Sequence, residues 1–171
     1  MRSVTTTHVE YLTPLKKMWS LDIKLGGINN FSAIEGMENI KYLELWQVRG
    51  LNDLSFISTL TGLQYFFLQS LTNVEVLPVL SGLPKLRKIF LESMKGLKNI
   101  SSLGQAPALT EFTHWFPMNM KMEDYIPLLS NPSVKRVSAY FGSAKMNDEF
   151  DKIVARYGKA REMLWQEFPF E

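Results

Sequence analysis

The chain has 171 residues, 46% of them hydrophobic, and a formal net charge of +2. It is long enough to bury a core, and its mixed charge argues against a dedicated nucleic-acid or polybasic membrane surface. With no cysteine, disulfides, thiolate nucleophiles and cysteine-type zinc sites are excluded. No run is long enough for a membrane-crossing helix, and MRSVTTTHVEYLT has no signal-peptide apolar region. A cytoplasmic protein is expected, or a fragment of a longer chain whose targeting signal lies elsewhere.

Residues 1–14 open the chain. SVTTTHVEYL (3–12) is rich in β-formers and predicts an N-terminal strand or cap. Residues 15–141 then read as repeats of about 23 residues. Stepping by 23 from Phe66 and Leu68 reaches Leu43 and Leu45, Ile89 and Leu91, then Phe112 and His114. Ile40, Leu63, Leu86 and Leu109 keep the same step, as do Ile34, Ile57, Leu80, Leu103 and Ile126. The terminal units drift: MWSLDI (18–23) precedes IKYLEL (40–45) by 22, and VKRVSA (134–139) follows LTEFTH (109–114) by 25. Irregular outer units are expected in a stacked array.

Gly27, Gly50, Asn73, Gly96 and Asn119 also share one phase. Gly and Asn tolerate a left-handed backbone, so this series predicts a repeated turn with positive φ, at Gly50 and Gly96 in particular. Each unit alternates apolar residues at strand period (LEL, FFL, IFL) and returns through short segments (NDLSFISTL, NVEVLPVL, KNISSL) suited to extended or 3₁₀ structure. Such a unit cannot bury its apolar face alone; stacking does so.

After Gly142 the period stops, and residues 146–171 read as a helical cap closing the stack. Asn147 suits an N-cap, Phe150, Ile153, Val154 and Tyr157 form a helical stripe, and Gly158 suits a stop. AREMLWQEF (160–168) predicts a second helical piece.

The units IKYLELWQVRGL, LQYFFLQSLTNV and LRKIFLESMKGL resemble the leucine-rich-repeat signature L-x-x-L-x-L-x-x-N/C-x-L. DLSFI (53–57) and NISSL (99–103) resemble the short bacterial internalin-like repeats. The pattern departs at the family's usual Asn, where Gly26, Val48, Leu71, Met94 and Pro117 stand. The resemblance implies an α/β fold: a right-handed solenoid with a parallel β-sheet on its concave face. Short 3₁₀, extended or helical segments would form the convex side.

In such a fold the residues between the inward leucines line the concavity. Three columns result: Ser20, Tyr42, Tyr65, Lys88, Glu111, Arg136; Asp22, Glu44, Phe67, Phe90, Thr113, Ser138; and Lys24, Trp46, Gln69, Glu92, Trp115, Tyr140. The aromatic content of this second face predicts a partner-binding surface, since contiguous exposed aromatic patches mark interaction sites. The candidate contact residues are Tyr42, Glu44, Trp46, Tyr65, Phe67, Gln69, Lys88, Phe90, Glu92, Thr113, Trp115 and Tyr140. A covering tail, or the plain suitability of aromatics for strands, is the bland reading.

Chemistry of other kinds is not encoded. His8-x-Glu10 is too short for a metal motif, and His114, at an inward leucine position, predicts a hydrogen-bonded core histidine. Gly26-Gly27 is a turn pair, and neither phosphate-binding glycine motif occurs. Asn30-Phe31-Ser32 and Asn99-Ile100-Ser101 match the glycosylation pattern by chance. No catalytic residue, metal or cofactor is expected. The expected function is a non-catalytic protein-interaction module binding a macromolecular partner on its concave face. The alternative is a small bacterial immunity- or inhibitor-type protein covering a toxin or enzyme. An enzyme, a small-molecule binder and a nucleic-acid binder rank below both.

Overall fold

The computed structural model describes residues 1–4, 6–161 and 168–171. Seven parallel strands form one sheet in chain order: β1 (Arg2–Val4), β2 (Ser20–Gly26), β3 (Tyr42–Val48), β4 (Tyr65–Gln69), β5 (Lys88–Glu92), β6 (Glu111–Trp115) and β7 (Arg136–Tyr140). The register follows the repeat step, pairing Leu43 with Phe66, Phe66 with Ile89 and Ile89 with Phe112. The irregular outer steps are real, with Leu21 opposite Leu43 and Phe112 opposite Val137. The two extra residues of the last step lie in the longest return, which holds a 3₁₀ turn (Met122–Tyr125) and helix α1 (Ile126–Ser130).

The inward columns make the core. Leu43, Leu45, Phe66, Leu68, Ile89 and Leu91 are all 0% exposed. Burying one such side chain contributes about 1.5–3 kcal/mol, so the repeated column is the main source of cohesion. Val48, Leu71 and Met94, which replace the expected Asn, join the same core.

The left-handed turn recurs once per unit, but not where the Gly/Asn series predicts it. It falls at Leu25, Gln47, Ser70, Ser93 and Phe116, with φ of 50–58°. There the strand ladder is carried one residue further: Ser70, Ser93 and Phe116 donate to the carbonyls of Glu92, Trp115 and Tyr140 at 2.9, 2.9 and 2.8 Å. Of the predicted series, Gly50 alone has positive φ, at 79°. Gly96 is needed for another reason: a Cβ there would sit 2.2 Å from the Thr72 carbonyl oxygen.

The return segments turn on Asx hydrogen bonds. Asn30, Asp53 and Asn99 accept through Oδ1 from the backbone N–H two residues on, at 2.9, 2.8 and 2.9 Å, and each opens a 3₁₀ turn. This explains the two apparent glycosylation triplets. The third unit has Val76 at that position, no such acceptor and then Pro78. It stays extended there, Val76 bridging to Asn99.

At the N-terminus the strand covers only Arg2–Val4, whereas Glu10–Leu12 form a 3₁₀ turn. The expected strand over 3–12 is therefore cut short. At the other end helix α2 (Ala144–Arg156) starts before Asn147. Ser143 is its N-cap, accepting from Met146 at 3.5 Å, while Asn147 Oδ1 accepts from Phe141 N at 2.8 Å. Phe150 and Val154 are buried against the last unit, Ile153 partly so, Tyr157 is exposed, and Gly158 follows the helix with φ 67°. The helical piece expected over 160–168 lies mostly outside the described residues. Of its ends, Ala160 bridges in parallel to Arg136, and Phe168 is not helical.

Candidate partner-binding face

Alternation sends every second side chain of β2–β7 away from the core, and the register aligns all three expected columns. Tyr42 lies opposite Tyr65 and Tyr65 opposite Lys88; Glu44, Phe67, Phe90 and Thr113 follow one another; so do Trp46, Gln69, Glu92, Trp115 and Tyr140. The rings meet across strands. Phe67 stacks on Phe90 at 4.7 Å between centroids, and Phe90 meets Trp115 edge-on at 5.1 Å. These rings are half-buried, and Tyr140, 40% exposed, packs on Phe116 at 5.4 Å.

Charge flanks the rings in paired form. Lys24 Nζ lies 2.8 Å from Glu44 and 3.3 Å from Asp22, and Tyr42 Oη donates to Glu44 at 2.7 Å. The Glu44 hydrogen bond holds the Lys24 ammonium above its ordinary pKa, against the opposing effect of burial. Burial pushes the Tyr42 phenol far up, helped by Glu44, and pushes Tyr65 up to about 12. Both phenols therefore stay neutral, and that of Tyr42 is a donor to Glu44. On the other side Lys88 lies 3.5 Å from Glu111, which also pairs with Arg136. Burial raises the Glu92 carboxyl, and a hydrogen bond from Gln69 partly offsets this.

Residues absent from the expected site complete one part of this face. Phe168 lies against Tyr65 at 5.4 Å, and Phe170 lies against Tyr42 at 5.9 Å and Trp19 at 5.6 Å. Gln64 and Arg87, just ahead of β4 and β5, hold the same segment by its main chain. Tyr42 and Tyr65 thus carry the chain's own C-terminal rings. The signal was present in the apolar tail, but no periodicity links a tail to a particular strand.

His114 is fully buried, with Nδ1 2.9 Å from Tyr125 Oη, as its inward position predicted. Burial lowers its pKa to about 3. Among the described residues no group of three or more His, Asp or Glu is arranged to hold a metal ion. Nor is any described helix long and apolar enough to cross a membrane.

Internalin C2 of Listeria monocytogenes is similar in structure, with a TM-score of 0.56 at 21% sequence identity over 78% of this chain. The fold is a leucine-rich-repeat solenoid. The ring-bearing columns lie on the side of its parallel sheet that faces away from the core. The chain matches 56% of the internalin C2 chain. No family model and no curated protein matches the sequence.

Proposed function

We propose that the chain is a non-catalytic protein-interaction module that presents the concave face of its solenoid to one macromolecular partner. The observation that carries this reading is the continuous ring row Phe67–Phe90–Trp115 on three adjacent strands. The strands fix the ring spacing, so little freedom is lost on binding, and aromatic anchors of this kind dominate interface energetics. The mixed, paired charges around the row would set orientation and reject partners of the wrong pattern.

The test compares the intact chain, Phe67→Ala and Phe90→Ala as baits in native cell extract, with a convex-side Val79→Ala control. A protein retained by the intact chain and the control should bind either ring variant at least about thirtyfold more weakly, the equivalent of about 2 kcal/mol. Equal retention by all four baits would refute the concave-face reading.

A further inference from the structure

The segment Phe168–Glu171 is held as a ligand is held. Gln64 is 3% exposed, and its side-chain amide addresses the main chain of Glu171 at two points: Nε2 donates to the main-chain oxygen at 2.9 Å, and Oε1 accepts from the N–H at 3.0 Å. Arg87 donates to Gln64 Oε1 at 3.1 Å and to the Pro169 carbonyl oxygen, and it pairs with the Glu171 carboxylate at 3.1 Å. The Arg87 guanidinium also lies 4.8 Å from the centre of the Phe168 ring. Two main-chain contacts from a buried amide read a peptide backbone, as a strand edge does, whatever the side chains. Selectivity then comes from the aromatic floor, which takes Phe168 on Tyr65 and Phe170 on Tyr42 and Trp19.

The hold is nevertheless superficial. Phe170 is 38% exposed and Trp19 52% exposed. The Glu171 carboxylate is 81% exposed, and ion pairs of that kind add little stability. An occupant attached to the same chain gains mainly from a high effective concentration. Such an occupant gives way when its own contacts are weakened or a better one arrives.

We propose that Trp19, Tyr42, Gln64, Tyr65 and Arg87 form a peptide-recognition site for short segments of the pattern aromatic-x-aromatic-acidic. Residues 168–171 are its resident, displaceable occupant. The site is separate from the Phe67–Phe90–Trp115 row and does not depend on what that row binds.

The experiment uses a fluorescein-labelled peptide copying residues 167–171, full-length chain, and fluorescence anisotropy. Phe168→Ala/Phe170→Ala removes the ring contacts of the resident segment and should bind the peptide at least tenfold more tightly than the intact chain does. Adding Arg87→Ala to that variant should reverse the gain, whereas adding Phe90→Ala should not. Absence of saturable binding to the double variant would overturn the proposal, as would binding indifferent to Arg87→Ala. Loss of the folded circular-dichroism spectrum in the double variant would also overturn it, because the segment would then be part of the fold. If sedimentation shows the intact chain pairing through exchanged tails that the labelled peptide cannot displace, the occupant is a second copy and the free-peptide site is refuted.

Discussion

The inward and outward columns of this sheet sit on the same strands, one residue apart, and obey different rules. Inward, nearly every unit repeats the same solution, a large aliphatic or aromatic side chain with no exposure. Outward, the units diverge: rings stack in the middle, paired charges stand at both sides, and the chain's own terminal rings lie over Tyr42 and Tyr65. Packing constrains the inward set, since each unit must fit the next at near-crystalline density. The outward set is constrained only by contacts between neighbouring strands, such as Phe67 on Phe90 and Lys24 with Glu44, so its chemistry is free to vary from unit to unit.

The strongest way to break that contrast is to disturb the inward side where backbones touch. Gly96→Val places atoms against the Thr72 and Val74 carbonyls, 2.2 and 2.9 Å from the Cβ position, and should cost about 3 kcal/mol or more. An unchanged urea midpoint would mean that neighbouring units do not approach so closely. The buried histidine gives the next effect. Folded His114 stays neutral down to about pH 3, whereas unfolded it takes up a proton near 6.5. Its contribution to stability is therefore complete above pH 6.5 and is lost progressively as pH falls toward 3. Between pH 7.5 and pH 5 the intact chain should lose about 2 kcal/mol more than His114→Leu. Parallel pH profiles for the two proteins would place the imidazole in contact with water.

A smaller loss is expected at Gly50, where φ is 79° and an added Cβ would meet only the Asn29 side chain, at 3.9 Å. Gly50→Val should cost about 1–2 kcal/mol, from backbone strain alone. Comparison with Gly96→Val separates strain from steric exclusion. Smallest of all, Phe170→Ala should shift stability by about 1 kcal/mol or less, since the ring it removes is more than a third exposed. A loss comparable to that of a core residue would make the terminal segment a structural element.

The solenoid was legible because its cause is periodic. Steric stacking repeats every unit, so Ile40, Leu63, Leu86 and Leu109 announce it, and the register of all three outward columns comes with them. The turn chemistry was less so. Glycine and asparagine mark positions that tolerate positive φ, but here a bend already compelled by the strand ladder places Leu25, Gln47 and Phe116 in it, whatever their preference. Gly96 is glycine for lack of room, which sequence does not separate from lack of strain. The terminal segment was legible only as apolar; which strands it meets depends on Gln64 and Arg87, which share one repeat phase 23 residues apart but differ in chemistry from Lys41 and Thr110 at the same phase.

The central claim is that Phe66 and Phe67, adjacent and identical, belong to a core and to a surface. Urea melts of two single variants test it directly. Phe66 is 0% exposed, and Phe66→Ala should leave a cavity costing about 3–5 kcal/mol. Phe67→Ala, which removes one ring from the outward row, should cost about 1 kcal/mol. Losses of equal size would contradict the account, for the outward rings would then form a second core rather than a surface.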